Sequence, residues 1–213
     1  MIKIHHLGVS QSDRIVWLCE ELGVPYELLH YQRDPQTQLA PPAYRALHPY
    51  GTAPVITDGD RVLGESGAIV EYINARYGNS RLSVPKDSPH FADYLYWLHF
   101  ANASLMASGM VELVCSLVKA PRDNPVIQSL VQRTDRAYDM IEQHLGHHPY
   151  FAGPQFSAAD ILMLFPLSTM RAFVPRNLAG YPNLRAYLKR IGERPAFQAA
   201  ARKADPNFKP ILE

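Results

Sequence analysis

A chain of 213 residues is long enough for one large domain or two small ones, and 47% hydrophobic against 19% charged residues excludes a disordered chain. Lys+Arg 21 against Asp+Glu 20 leaves a net charge of +1, which gives no electrostatic footprint for nucleic acid or an anionic membrane. The two cysteines, Cys19 and Cys115, sit among apolar residues at helical spacing without any Cys-x-x-Cys or zinc pattern, so they read as buried free thiols of a cytoplasmic protein. Met1-Ile2-Lys3-Ile4 runs straight into a strand, so no signal peptide is expected, and no apolar run approaches the length of a membrane span.

In chain order, Ile2 to Leu7 reads as a strand. Ile15, Leu18, Cys19 and Leu22 then recur at helical spacing up to Gly23, and Tyr26 to Tyr31 is a second strand, parallel to the first after the crossover. A Pro-, Gln- and Ala-rich connection over 32–50 holds a short helix from Pro42. Pro54 to Thr57 and Arg61 to Leu63 form a hairpin through Asp58-Gly59-Asp60, and Ser66 can cap a helix ending at Gly78. The order βαβ, loop helix, ββα predicts an α/β domain over residues 1–78, followed by a linker over 79–89.

Residues 90–213 carry helical patterns alone. One long pattern covers 90–118, and a second runs from Val126 to Leu145. A third starts at the capping box Ser157-Ala158-Ala159-Asp160 and contains Pro166, which should bend it. Two more, Pro182 to Ile191 and Pro195 to Lys203, have proline in the first turn.

Three patches of the α/β domain could carry chemistry. Gly8-Val9-Ser10-Gln11-Ser12-Asp13-Arg14 is a strand-to-helix turn, which aims backbone N–H groups and a helix dipole at one point, with the Ser10 and Ser12 hydroxyls beside it; a thiolate or another anion would be welcome there. The plainer reading is that Ser12 or Asp13 merely caps the helix. Gly51-Thr52-Ala53-Pro54 enters a strand at a proline; a cis Ala53–Pro54 bond would bare the Ala53 backbone to a peptide-like ligand, against the plainer trans proline at a strand start. Glu65-Ser66 stands at a helix N-terminus, where a hydroxyl suits a carboxylate and an acid suits an amine, as in an amino-acid head group; a routine cap is the alternative. Adjacent histidines, His5-His6 and His147-His148, invite a metal reading, but neighbours on a strand point apart and no acidic partner lies near in sequence, so no metal is expected.

Six pieces, in order and at fitting spacing, resemble the cytosolic glutathione S-transferases over the whole chain. They are Ser10 to Arg14, Glu20-Glu21-Leu22-Gly23-Val24-Pro25-Tyr26-Glu27, Leu39-Ala40-Pro41-Pro42, His48-Pro49-Tyr50-Gly51-Thr52-Ala53-Pro54-Val55, Glu65 to Ile69, and Ser157 to Asp160. The likeness is greatest to bacterial and fungal members with a serine in the first turn. It implies a thioredoxin-like N-terminal domain, an all-α C-terminal domain, glutathione as co-substrate, a hydrophobic electrophile as second substrate, a homodimer, and a possible peroxidase side activity.

By this resemblance Ser10 is the catalytic serine, with Ser12 its rival, and its hydroxyl donates a hydrogen bond to the glutathione sulfur. Ser12, Gln38, His48, Thr52, Ala53, Pro54, Glu65 and Ser66 would line the glutathione site. The Ala53 main chain would meet the cysteinyl unit, and Glu65 and Ser66 the γ-glutamyl end. Thr52 departs from the many relatives with a lysine or arginine there for the glycine carboxylate; His48, Gln38 or Arg33 could compensate. The second substrate would lie between the domains, near Tyr94, Trp97, Phe100, Ser104 and Met106, although residues at that spacing also read as core. A non-catalytic ligand- or partner-binding relative is the alternative to an enzyme.

Overall fold

The structure, a computed structural model, describes all residues 1–213. The element order is β1 (Ile2–Leu7), α1 (Asp13–Leu22), β2 (Tyr26–Tyr31), α2 (Pro42–Arg45), β3 (Val55–Asp58), β4 (Arg61–Gly64), α3 (Ser66–Arg76), α4 (Phe91–Phe100), α5 (Ala107–Leu117), α6 (Pro125–His147), α7 (Ala158–Leu167), α8 (Pro182–Gly192) and α9 (Pro195–Ala204). Packing divides the chain into one unit of residues 1–83 with 192–210 and another of residues 84–191 with 211–213.

The first unit is built on a four-stranded sheet in the order β2-β1-β3-β4. β1 pairs parallel with β2 and antiparallel with β3, which pairs antiparallel with β4. The central β1 is buried along its length apart from Lys3, because both its faces are covered. Helix α1 is buried on more than one side, at Arg14, Ile15, Val16, Trp17, Leu18, Cys19 and Leu22, since it packs against α3 and also against α9. It ends at Gly23, whose φ of 62° a residue with a Cβ adopts only at a cost; the Gly23 N–H bonds back to the last turn.

The sequence pattern assigns α9 to the C-terminal helical domain, but α9 packs on α1 in the first unit. Trp17 meets Phe197 edge-on, with centroids 5.3 Å apart. The Trp17 indole N–H donates to Glu21 Oε1 at 2.9 Å, and Glu21 also accepts both Nε and Nη2 of Arg194 at 2.7 Å. Such a forked pair fixes orientation as well as adding energy.

The second unit is all-helical. The single pattern over 90–118 folds as one continuous run, but residues Ala101–Met106 form a π-helical stretch between α4 and α5. This run, Phe91–Leu117, is long and apolar enough to cross a membrane by length and composition alone, which the sequence reading did not anticipate. Its Tyr94, Trp97, Leu98, Ala101, Leu105 and Met106 are buried, and both α4 and the π stretch contact α7. Helix α7 is buried at every position, and Pro166 sits in its last turn, so it ends the helix beside the 3₁₀ turn Thr169–Ala172 instead of bending a longer one.

Candidate active site

The residues singled out in the α/β domain converge on the first unit, beginning with the turn after β1. Gly8 N–H donates to Tyr31 O at 3.2 Å, and Arg33 donates from Nε to Gly8 O at 2.9 Å and from Nη2 to Val9 O at 3.3 Å. Val9 takes a positive φ of 46°, and its N–H donates to Asp205 Oδ1 at 3.0 Å. A β-branched residue in that region is strained, so the turn is held by its surroundings.

Ser10 and Ser12 are not equivalent. Ser10 is 6% exposed; its hydroxyl donates to Leu7 O at 2.6 Å and lies 2.8 Å from Ser12 Oγ. Ser12 is fully buried at the N-cap position of α1, yet its hydroxyl does not cap the helix. Instead Ser12 Oγ accepts the Leu7 N–H at 3.2 Å and lies 2.8 Å from His6 Nδ1. Direct contact of Ser12 with a ligand sulfur is therefore closed off, and Ser10 is the outer member of the pair.

Behind Ser12, His6 is fully buried, and its Nε2 stands 3.1 Å from Asp205 Oδ2. Burial works to raise the Asp205 carboxyl, but its hydrogen bonds and charge contact with His6, and the Val9 N–H, hold it below the ordinary value. His6 therefore has one acidic partner, distant in sequence. The partner comes from the far end of α9, where no local spacing could reveal it. His5 points to the other face, as strand neighbours do, with Nδ1 3.1 Å from Tyr31 Oη and Nε2 3.3 Å from Thr57 Oγ1. No group of three His, Cys, Asp or Glu residues is arranged to hold a metal ion.

The second patch leads into β3. The Ala53–Pro54 bond is cis, and Ala53 lies outside the ladder, which starts at Val55. Thr52 is exposed, and the half-buried His48 faces Gly64 and accepts the Tyr50 N–H on Nδ1 at 3.2 Å. The other two expected helpers are engaged. Gln38 is exposed with a φ of 59°, its side-chain amide donating to Pro35 O at 3.1 Å. Arg33 spends Nη1 on Gln38 O at 2.9 Å, besides its bonds to Gly8 and Val9.

At the third patch the N-cap of α3 is Glu65 instead of Ser66. Glu65 is exposed and held at φ 67°, ψ 114°, outside the regions that non-glycine residues favour. Ser66 is the first helical residue and is buried; its hydroxyl accepts from Arg14 Nη1 at 3.2 Å. Arg14 is itself fully buried, and burial lowers its pKa to about 10 against the support of Asp13. Burial in turn raises the Asp13 carboxyl to about 7, opposed by Arg14 and His6. Arg14 thus ties the head of α1 to the head of α3. A strained, exposed acid beside a buried serine at a helix N-terminus can take an amine on one side and a carboxylate on the other.

The aromatic residues of the second unit are mostly packing groups. Trp97 lies 4.7 Å from the His144 ring and 5.0 Å from Phe151, centroid to centroid. Met106 packs with Phe165 and Met170, and Tyr94 is also buried. Phe100, half-buried, stacks on exposed Tyr96 at 5.4 Å, and Ser104 is half-buried in the π stretch. Trp97, Met106 and Tyr94 therefore take the core reading.

Two family models match the chain: Glutathione S-transferase, N-terminal domain, over residues 5–81, and Glutathione S-transferase, C-terminal domain, over 105–195. Glutathione S-transferase 3 of Schizosaccharomyces pombe is 36% identical over 97% of this chain and 89% of that protein. The crystal structure of a glutathione S-transferase from Actinobacillus pleuropneumoniae superposes with a TM-score of 0.87 at 34% identity, covering 98% of this chain and 97% of that one. A theta class glutathione S-transferase from Xanthomonas axonopodis pv. citri, solved with glutathione bound, has a TM-score of 0.72 at 27% identity, covering 93% and 96%. A thioredoxin-like unit with a serine at the head of α1, an all-helical unit and relatives of this similarity over nearly the whole length lead to one assignment: the chain belongs to the glutathione S-transferase family.

Proposed function

We propose that this transferase holds glutathione on its first unit with the sulfur at Ser10, and adds that sulfur to hydrophobic electrophiles. The observation that carries the reading is the difference within the serine pair: Ser12 is fully buried with its hydroxyl on His6, while Ser10 is 6% exposed. An unperturbed thiol has a pKa of about 8.5, so little of it is thiolate at neutral pH. Lowering it by ~2 units needs ~2.7 kcal/mol of preferential thiolate stabilisation. A charge-assisted hydrogen bond at a helix N-terminus is of that order. The thiolate then attacks the electrophilic carbon, its electron pair forming the new C–S bond as the leaving group departs. The same thiolate is the group that a peroxidase side activity would use.

In this reading the Ala53 backbone meets the cysteinyl unit, and Pro54 shapes the approach. Glu65 takes the γ-glutamyl amine and Ser66 its carboxylate. His48, Gln38 and Thr52 flank the glycine end, where Arg33 is already committed to backbone carbonyls. Thr52→Lys should restore a cation there and tighten glutathione by a few-fold, about 1 kcal/mol or less for an exposed charge pair. The thin provision for that carboxylate is what favours the second reading, a relative that binds ligands without turnover.

Self-association as a homodimer and a cytosolic location complete the proposal. Leu95, Tyr96, Met110, Val111, Val114 and Leu117 along the α4–α5 run are exposed and apolar, which supports a second copy as their cover; light scattering on the purified protein tests it. The central experiment is glutathione titration with turnover of an aryl halide, for the wild type and Ser10→Ala. The expected result is a fall in kcat/KM of about 100-fold, the ~2.7 kcal/mol above. Equal turnover by both proteins would refute the role of Ser10, and binding without turnover in the wild type would favour the second reading.

A further inference from the structure

A buried imidazole is commonly a satisfied core residue, but His6 sits in a line of side chains that reaches Ser10. Asp205 Oδ2 is 3.1 Å from His6 Nε2, His6 Nδ1 is 2.8 Å from Ser12 Oγ, and Ser12 Oγ is 2.8 Å from Ser10 Oγ. The line is braced at both ends. The second oxygen of Asp205 accepts the Val9 N–H at 3.0 Å, and Leu7 contributes its N–H to Ser12 and its carbonyl to Ser10. Nothing in a serine-to-sulfur hydrogen bond alone requires a histidine and a carboxylate behind it.

Each hydroxyl carries one proton, so the direction of the line is set by His6. With His6 neutral and its Nε2 proton toward Asp205, Nδ1 is an acceptor, and Ser12 must donate to it. Ser10 then donates inward, to Ser12 or to Leu7 O. No donor points outward. With His6 protonated, Nδ1–H donates to Ser12, Ser12 donates to Ser10, and the Ser10 proton is released toward the sulfur. Reversal of the line takes one proton, which is the number that an ionising thiol gives up.

We propose that His6, braced by Asp205, receives the glutathione thiol proton through Ser10 and Ser12, and so sets the outward donation that stabilises the thiolate. The S–H bond breaks with its electron pair left on sulfur, and its proton bonds to Ser10 Oγ. The Ser10 proton passes to Ser12 Oγ, and the Ser12 proton to His6 Nδ1. Charge is conserved, as thiol and imidazole become thiolate and imidazolium, and each hydroxyl ends donating outward. His6 never touches the sulfur, so it is a positioning residue that acts through Ser12 and Ser10. This inference rests on the reading of Ser10 given above.

Asp205 comes from the end of α9 and Asp13 from the first turn of α1, both acting on His6 by charge. His30, its register partner on β2, lies nearly perpendicular to it with ring centroids 5.5 Å apart. Positive charge stands one step back, with Arg33 acting on Asp205 and Arg14 on Asp13.

The test follows bound glutathione by its ultraviolet thiolate absorbance against pH, for the wild type, Ser10→Ala, Ser12→Ala, His6→Gln and Asp205→Asn. Calorimetry in buffers of different ionisation enthalpy counts the protons released on binding. The proposal expects Ser12→Ala and His6→Gln to raise the bound thiol pKa by about one unit, leaving tenfold less thiolate at low pH, with glutathione affinity little changed. Asp205→Asn should shift it less, in the same direction. Near neutral pH the wild type should keep the thiol proton within the complex, whereas His6→Gln should release a proton to buffer wherever thiolate forms. Ser12→Ala cuts the line with both ends in place, so it carries the test where His6→Gln fails to fold. If Ser10→Ala shifts the thiol titration while Ser12→Ala or a folded His6→Gln leaves both titration and proton count as in the wild type, the relay is overturned and the Ser10 reading stands. An unshifted Ser10→Ala overturns both.

Discussion

Two helices of this protein begin with a buried serine–aspartate network, and the two networks are finished differently. At the head of α7, Asp160 accepts the Ser157 N–H at 2.9 Å and its hydroxyl at 3.2 Å on one oxygen, and the Phe151 N–H at 3.1 Å on the other. Ser157 Oγ in turn accepts the Ala159 N–H at 3.3 Å. Tyr187 also acts on the Asp160 carboxyl and both residues are fully buried, so that circuit is enclosed. At the head of α1 the serine spends its hydroxyl away from the helix, on His6, and the line ends at Ser10, which is 6% exposed. A closed circuit satisfies backbone donors and holds a fold together. An open one runs on from residue to residue, here to the Ser10 hydroxyl, which donates to Leu7 O at 2.6 Å.

The largest expected effect is in the closed circuit. Asp160→Ala strands the Ser157 and Phe151 N–H groups and should cost about 3 kcal/mol in urea unfolding, with glutathione binding by the folded fraction unchanged. Ser10→Ala should do the reverse, reducing turnover as given above with about 1 kcal/mol or less of stability lost. If the two variants do not cross over in this way, the distinction between closed and open networks fails.

The carboxyls should also separate by pH. Burial raises Asp160 to about 6, against its hydrogen bonds. With the folded value above the unfolded one, the native state holds the extra proton, so this group makes stability fall as pH rises from about 4 toward 6. Asp205 is held below its ordinary value, so its contribution is present above about 4 and lost as pH falls through the folded value. Thermal melts against pH should therefore flatten on the acid limb in Asp205→Asn, and between about pH 4 and 6 in Asp160→Asn. A smaller effect extends the comparison to α3. Glu65→Gly should relieve the φ of 67° and stabilise the fold by about 1 kcal/mol, while glutathione affinity falls.

Local signals in the sequence carried much of this. The strand-helix-strand order, the Ser157-Asp160 box, the proline-led α8 and α9 and the Ser10 turn are each written within a few residues. What escaped is what the chain assembles at long range or by conformation. Asp205 meets His6 across nearly the whole sequence, and α9 joins α1 because Trp17, Glu21 and Arg194 fit one another, which periodicity cannot foresee. The φ of Glu65 has no marker in Gly64-Glu65-Ser66. The same limit made the Phe91–Leu117 run look like an ordinary helix, whereas a π-helical stretch interrupts it at Ala101–Met106.

That α9 belongs with α1 also bears on how the protein is made. The first unit is interrupted by residues 84–191 and completed only by 192–210, so a ribosome delivers the whole helical unit before the last wall of the first. Until then the nascent chain has His6 without Asp205 and Trp17 without Phe197. A polypeptide stalled short of α9 carries every serine of the turn yet lacks the carboxylate that meets His6.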